Sequence, residues 1–328
     1  MIIWGRKCIL GIRATNANAG DRLCIMEIQD IKNKYGITVK DLVSLRKNVM
    51  FVVDEKDEER ILKIKRVSVK KNWEDSHRFY NELRMYKSFS AASLQFLRVP
   101  ELYSYSKDSM IMECVKKKQG ERIVDKEFID SYIELQLLKV PRKFFFDLKN
   151  QFIRGFFYQA ILVSVFTISR KINILTSLKI ISLYLKLDLF TNKLKSRYWL
   201  HGDLNFGNVY YNIKNNQLYF IDFENMFYTR KWILVEVIFK CLSYQGEENL
   251  IFNMNYLNIY LNQFGSAIKE DGNSLNIKKQ VRFSVLIKCV HSIAMTKDAG
   301  KKKAYLKLLE TCLSNKGFEK WVVKNVEC

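Results

Sequence analysis

Proline is almost missing from this chain, with two residues among 328, and glycine is sparse at 13. A collagen-like or fibrous repeat is therefore excluded, and a helix-rich fold is favoured. Long apolar runs are also missing. The longest, Phe156 to Ser169, lies between Arg154 and Arg170 and is well short of the roughly 20 residues needed to cross a bilayer, so no transmembrane span is expected. The opening residues have no h-region or cleavage site of the kind a secretory signal carries. The seven cysteines (Cys8, Cys24, Cys114, Cys241, Cys289, Cys312, Cys328) are scattered and form no C-x-x-C pair, which argues against zinc and against a disulfide framework and favours a reducing cytoplasm. Internal repeats and low-complexity segments are absent as well. Acid is the last shortage. Against 55 Lys and Arg stand 34 Asp and Glu, giving a net charge of +21 and a pI near 9.5. That surplus predicts attraction to an anionic partner without choosing among nucleic acid, phosphorylated ligand and membrane surface.

What is present is a chain able to bury a core, with 48% hydrophobic and 27% charged residues. Residues 1–36 read as an N-terminal extension ending at Gly36, with a polar helical pattern from Met26 to Tyr35. From 37 to 115 the pattern predicts a small antiparallel sheet with one helix. A first strand falls near Leu42 to Leu45, and Val49–Val53 and Arg60–Lys65 form a hairpin around the charged run DEKDEE. A helix covers Asn72–Ser90, with Phe79, Leu83 and Tyr86 at helical spacing, and two strands follow near Glu101–Tyr105 and Met110–Val115. After the polar break Lys116–Gly120, residues 116–328 read as mainly helical. The exception is a β island at Trp199–Asp203, Val209–Asn212 and Leu218–Phe223, after which helices are expected from Trp232 to the end. The stretch Lys139–Lys186 is basic and rich in phenylalanine, with Asp147 its single acid.

The chemistry-bearing segment is HGDLNFGNVYYNIKNNQLYFIDFEN, residues 201–225. Asp203 and Asn208 sit in a loop after a strand, and the following hairpin returns Asp222 to that loop. One carboxylate and one amide oxygen then converge beside a second carboxylate. Hard oxygen donors of this kind suit Mg²⁺, which takes one or two protein ligands and fills its shell with water and phosphate oxygens. Asp203, not needed as a ligand, is free to accept a hydroxyl proton.

This segment resembles the protein-kinase-like phosphotransferases, in which H-x-D-x-x-x-x-N supplies base and metal ligand and D-F the second metal ligand. The resemblance implies an α+β, bilobal protein-kinase-like fold, with a small antiparallel N-lobe and a mainly helical C-lobe. It implies ATP and Mg²⁺ as cofactors, Asp203 as the base, and Asn208 and Asp222 as metal ligands. Lys63 in ILKI takes the place of the lysine that reaches the α- and β-phosphates, with Lys65 on the same strand face as fallback, and Glu82 takes that of its helical carboxylate partner. In IMECV, Met112 stands at the gatekeeper position, and the backbone of Glu113 and Val115 would pair with adenine. His201 reads as a prop for the loop, Glu224 either as an acceptor contact or as a brace, and His77 and His291 as ordinary surface or part-buried histidines.

The departures narrow the branch. The phosphate-covering loop, SLRKN, has no glycine, so Ser44, Arg46, Lys47 or Asn48 must serve there. Gly202 replaces the arginine of His-Arg-Asp, Asn205 stands where serine/threonine kinases carry lysine, and no proline follows Pro141 to make an A-P-E anchor. The H-G-D and D-F-E forms are similar to the small-molecule and glycan branch, namely aminoglycoside phosphotransferases, choline/ethanolamine kinases and lipopolysaccharide-core sugar kinases. The scarcity of acid between 139 and 187 counts against a polycationic aminoglycoside. The resulting expectation is a cytoplasmic kinase acting on a hydroxyl of an anionic cell-envelope glycan or glycolipid, with peripheral contact at the inner membrane face. Choline or another small amino alcohol is the alternative, and a nucleotide-binding pseudokinase the alternative of another class. No nucleic acid partner is expected, since no helix-turn-helix, zinc-finger or RNA-recognition signature accompanies the charge.

Overall fold

The computed structural model describes residues 33, 36–44, 48–55, 58–65, 73–120, 123–139, 172–190, 198–204, 207–229, 233–268 and 277–326. The fold is α+β, and the described residues divide into two compact units. The first takes the chain up to Phe79 and adds Tyr103–Cys114; the second takes Tyr80–Leu102 and Val115 onward.

The first unit is an antiparallel sheet of β1 (Thr38–Ser44), β2 (Asn48–Glu55), β3 (Glu58–Lys65), β4 (Leu102–Tyr105) and β5 (Ser109–Glu113), in the order β1-β2-β3-β5-β4. Alternation along each strand decides its faces. Phe51, Leu62 and Ile111 lie opposite one another on three neighbouring strands and, with Ile37 and Val53, form the buried core that Val39 and Ile64 flank. Burying each large side chain of this set contributes about 1.5–3 kcal/mol. Lys63, one residue past Leu62, pairs with Met50 and Met110 on the other face of the sheet.

Helix α1 (Trp73–Ser90) runs across the division between the units. Phe79, Glu82, Leu83, Tyr86 and Phe89 are its buried stripe, recurring at the three- and four-residue spacing of one helix face. After it the chain turns through residues 91–101. The turn is fixed from α2 (Asp125–Leu137): the Glu134 carboxylate accepts the backbone N–H groups of Gln95 and Phe96 at 2.7 Å and of Leu97 at 2.5 Å, while the Ser131 hydroxyl donates to the Phe96 carbonyl at 3.1 Å.

The remainder of the second unit contains α3 (Ile174–Phe190), β6 (Tyr198–Leu200), β7 (Val209–Tyr211), β8 (Leu218–Phe220), β9 (Phe227–Thr229), α4 (Val235–Cys241), β10 (Leu242–Gly246), β11 (Asn249–Phe252), α5 (Met254–Ile268), α6 (Ile277–Met295), α7 (Ala299–Leu313) and α8 (Asn315–Val326). Its core is aromatic, built on Phe128, Tyr132, Trp199, Phe220, Phe223, Tyr260 and Phe264. The polar tips in that core are matched. The Trp199 indole donates to the Leu138 carbonyl at 3.0 Å, and the Tyr260 hydroxyl donates to Gln136 at 2.7 Å, as buried donors require.

Two features depart from the sequence expectation. Helix does not run unbroken from Trp232, because β10 and β11 form a hairpin. Glu247 (φ 46°) and Glu248 (φ 62°) both adopt left-handed backbone at its turn. A two-residue turn of that form is normally announced by Asn-Gly or Asp-Gly, and Glu-Glu gives no such signal. Here Lys303 of α7 pairs with the Glu248 carboxylate at 2.7 Å. Strand β9, also unexpected, pairs antiparallel with β6. Of the helix expected at Met26–Tyr35 only Asn33 is described, and most of the basic, Phe-rich stretch lies outside the described residues. Among those described, no helix is long and apolar enough to cross a membrane.

Replacing Glu134 by alanine removes the acceptor of three backbone donors. Because the site is partly open to water, the expected loss is about 2 kcal/mol in urea unfolding, with Glu134→Gln intermediate because one oxygen is retained. A loss below about 0.5 kcal/mol would show that water replaces the carboxylate without cost.

Candidate active site in the second unit

The catalytic-loop candidate begins where β6 ends. The backbone N–H of His201 donates to one Glu236 oxygen at 2.9 Å and that of Gly202 to the other at 2.6 Å, and the Tyr132 hydroxyl donates to the first at 2.7 Å. Glu236 lies in α4, is 7% exposed, and so serves as a buried anchor for the loop. At Gly202 the backbone is left-handed, with φ 84°, and a Cβ there would stand 2.0 Å from the Asn225 carbonyl oxygen. Only glycine fits both conditions.

His201 is fully buried. Its Nε2 bonds the Ile221 carbonyl at 2.9 Å and its ring lies 5.1 Å from that of Phe223. Burial pulls the imidazole below its ordinary pKa, against the opposing influence of Glu236. A neutral ring donating to a carbonyl is a prop, as the sequence suggests. Asp203 follows, with an exposed side chain, and its carbonyl accepts the Asn208 amide N–H at 2.8 Å. With the amide nitrogen of Asn208 so engaged, its oxygen is the atom available to a cation. The Asn208 carbonyl in turn accepts the Ile221 N–H at 2.9 Å, which brings the residue before Asp222 against Asn208. Asn205 lies outside the described residues.

Asp222 occupies left-handed backbone (φ 63°, ψ 63°) at the head of a 3-10 turn, Phe223–Asn225. The Phe223 ring fixes that turn. It is buried against Tyr86 (5.5 Å, edge-on) and Phe89 (4.7 Å) of α1 and against His201. Tilted and edge-to-face contacts of this kind each contribute about 0.5–1.5 kcal/mol beyond area burial. The turn brings Glu224 to the same place, and carboxylate oxygens of Glu82, Asp222 and Glu224 lie within 4.8 Å of one another. Their negative field is felt nearby: the buried Tyr86 phenol is pushed well up, first by burial and then by the charges of Glu82 and Asp222. Three carboxylates at this spacing, one of them following the Asn208 contact, are a hard-oxygen donor set that fits Mg²⁺. The sequence expectation of Asn208 and Asp222 as ligands did not include Glu224, and it gave Glu82 to Lys63. In the second unit, Glu82 is placed with Asp222 and Glu224.

In the first unit, Lys63 is 5% exposed and Met112 also 5%. Met112 faces Ile61 across the β3–β5 pair, and Glu113 ends β5 opposite Arg60. Lys65, the fallback, pairs with Asp108 at 3.7 Å. Val115 belongs to the second unit, where its carbonyl accepts the Tyr210 hydroxyl at 3.2 Å. Arg46 and Lys47 of the glycine-free loop lie outside the described residues, as do the side chains of Ser44 and Asn48. Sequence reasoning missed Glu236 altogether. The only available signal was one acid set inside the apolar run WILVEVIF.

No protein-family model and no curated protein matches the chain by sequence. Solved structures do match. The gentamicin complex of the aminoglycoside phosphotransferase APH(2″)-IIa superposes with TM-score 0.55 at 15% identity, covering 93% of this chain and 98% of that one. The ADP-bound aminoglycoside phosphotransferase APH(2″)-Ib gives 0.53 at 15% identity over 90% and 99% of the two chains. Spectinomycin phosphotransferase APH(9)-Ia, in complex with ADP and spectinomycin, gives 0.50 at 13% identity over 86% and 92%. The chain has the phosphotransferase fold.

Glu236→Gln keeps side-chain length but turns one acceptor oxygen into a donor that must face an N–H or O–H group. A loss of about 2–4 kcal/mol is expected in chemical unfolding. Gly202→Ala is expected to be at least as damaging, because backbone rather than a flexible side chain blocks the new Cβ. Unchanged unfolding midpoints for both variants would refute the anchor.

Proposed function

We propose that the chain is an ATP- and Mg²⁺-dependent kinase that phosphorylates a hydroxyl of an anionic acceptor, a sugar of a cell-envelope glycan or glycolipid. The observation that carries this reading is the buried anchoring of the loop bearing Asp203 and Asn208 next to Asp222. A chain with no use for the constellation has no reason to hold an exposed aspartate on so constrained a backbone. The phosphotransferase fold supports it, and so do the ADP complexes among the similar structures.

In this reading Lys63 holds the α- and β-phosphates with Glu82 as its carboxylate partner, Met112 borders the base, and the backbone of Glu113 and Val115 pairs with adenine. Asn208 and Asp222 hold the metal, with Glu224 beside them; when bound, Mg²⁺ neutralises charge on the phosphate oxygens. Asp203 positions the acceptor hydroxyl. As the new O–P bond forms and the bond from the γ-phosphorus to the leaving ADP oxygen breaks, the hydroxyl proton passes to the Asp203 carboxylate. The loop stays fixed while this happens because neutral His201 and Glu236 hold its backbone, so little reorganisation accompanies the transfer. The surplus of base supports an anionic acceptor on the cytoplasmic side and a peripheral contact with an anionic membrane surface.

The test is transfer of labelled γ-phosphate from ATP with Mg²⁺ to lipopolysaccharide core, choline and generic protein. Transfer to the glycan is expected, with Asp203→Ala about 10²–10⁴-fold slower and ADP binding retained. Equal behaviour of wild type and Asp203→Ala on every acceptor would reduce the protein to a nucleotide-binding module. Preference for choline would move the acceptor to the amino alcohols.

A further inference from the structure

One helix of the second unit is apolar on two faces. In α3, Ser177, Ile180, Tyr184 and Leu187 recur at intervals of three and four residues and are buried, and the Tyr184 ring lies 5.0 Å from that of Phe283 on α6. That stripe accounts for how α3 packs. The opposite face is open to water, yet it is apolar as well: Ile174 is 69% exposed, Leu175 63%, Leu178 58% and Leu185 41%. Ile174, Leu178 and Leu185 follow one another at four and seven residues, the recurrence of a single helix face, and span about 16 Å of it. Among the described residues, no other helix carries more than one exposed large apolar side chain. Scattered exposed leucines need no explanation, whereas a continuous exposed stripe marks a surface that meets a partner.

Charge says which partner. Each exposed leucine is followed by an exposed lysine, Lys179 after Leu178 and Lys186 after Leu185, so two ammonium groups seven residues apart run along one edge of the apolar stripe. Lysine stems lie along apolar surface while their heads stay in water. In sequence, α3 lies at the end of the run Lys139–Lys186, which holds nine basic residues and one acid, Asp147; Asp188 is the one acid of α3 itself. An apolar stripe edged with lysine is complementary to the surface of an anionic bilayer, whose acyl boundary takes the leucines and whose phosphates take the ammonium groups. Such a helix lies in the interface and does not cross it. One face of α3 is committed to α6, and no described helix is long and apolar enough to span.

We infer that the exposed face of α3 docks on an anionic membrane, with Ile174, Leu175, Leu178 and Leu185 entering the boundary between headgroups and acyl chains and Lys179 and Lys186 resting at the level of the phosphates. The choice of this face stands on its exposure and charge alone; its use, to meet a glycolipid acceptor within the leaflet that holds it, rests on the kinase reading. Burial of the stripe gives an attraction that does not depend on headgroup, and the lysines add selection for acidic lipid. Four apolar side chains and two lysines give reversible binding, far from the hold of a membrane-spanning helix.

Sedimentation of the full chain with vesicles tests this. Binding to mixed phosphatidylcholine and phosphatidylglycerol vesicles is expected, weakening as salt rises, and binding to phosphatidylcholine alone should be about 10-fold weaker or less still. A chain of net charge +21 is drawn to any anionic surface, so the variants decide. Leu178→Glu and Leu185→Glu should each lower binding about 10-fold, and Lys179→Gln and Lys186→Gln about 5-fold each. Ile251→Glu, at a 47% exposed position of β11, should leave it unchanged. Leu178→Trp should add a fluorescence component that brominated lipid quenches. The melting temperature of Leu178→Glu should equal that of wild type, since the side chain already meets water. Binding as strong in both leucine variants as in wild type would mean adsorption by charge alone and overturns the docking face. So does a lowered melting temperature of Leu178→Glu with vesicle binding intact, which would place the face under another part of the chain. Self-association that Leu178→Glu abolishes, in a wild type that does not bind vesicles, overturns it in favour of a second copy. The kinase reading is decided apart from this. Asp203→Ala should bind vesicles as wild type does; vesicle binding without phosphate transfer by wild type leaves the docking face standing and the kinase reading fallen, and transfer without vesicle binding does the reverse.

Discussion

The structure of the candidate site depends on one carboxylate. Glu236 accepts from His201, Gly202 and Tyr132 with bonds of 2.6 to 2.9 Å. Two donors are successive backbone N–H groups, which fixes the direction in which the chain leaves β6. The third, Tyr132, ties that point to α2, whose Glu134 on the adjoining turn fixes the chain leaving α1. Hydrogen bonds to a buried charge are each stronger than neutral ones, and an unmatched charge at that depth is costly. The three donors and the carboxylate therefore stand or fall together. From this clamp the rest follows in order: Gly202 turns left-handed against Asn225, His201 points its ring at Ile221 and Phe223, and Asp203 is delivered to solvent.

The second constraint is aromatic. Phe223 is the side chain that α1, His201 and the turn carrying Asp222 have in common. Its packing means that the position of Asp222 is set by a helix that also carries Glu82. A shift of α1 by one rotamer at Tyr86 or Phe89 would be felt at Asp222 before any ligand is considered, since close-packed rings cannot deform gradually. The carboxylate group of Glu82, Asp222 and Glu224 is thus built on packing as much as on charge.

What the sequence made legible was local. Strand alternation gave the sheet of the first unit and the face on which Lys63 lies, because a period of two needs no partner to be seen. The Asp203–Asn208–Asp222 set was readable because it spans one loop and one hairpin. Glu236 was not readable, since its partners lie 34, 35 and 104 residues upstream in sequence and a single helix glutamate is by default a solvated one. Lys240 and Lys288 are harder still: a lysine becomes a perturbed cation only when other elements shut out water, as the Phe128 ring of α2 does beside Lys240 and the Phe239 ring of α4 beside Lys288. The β10–β11 hairpin was missed for a different reason, because Glu247 and Glu248 take a backbone form that their own chemistry does not favour and an ion pair from α7 helps to hold.

The charge of the whole chain takes its meaning from this division. A metal–triphosphate complex and the proposed acceptor are both anionic, and two unit charges about 5 Å apart at an effective dielectric of 20 repel by about 3 kcal/mol. A site that must join them needs cations on the acceptor side as well as on the nucleotide side. Asp222 and Glu224 would hold metal on the nucleotide side, which leaves the acceptor side to the chain's basic surplus. A surplus of +21 spread evenly over the surface would do nothing for this encounter beyond raising its rate. Cations held at one place beside the acceptor would act on its equilibrium as well, because attraction at close range is screened far less by salt.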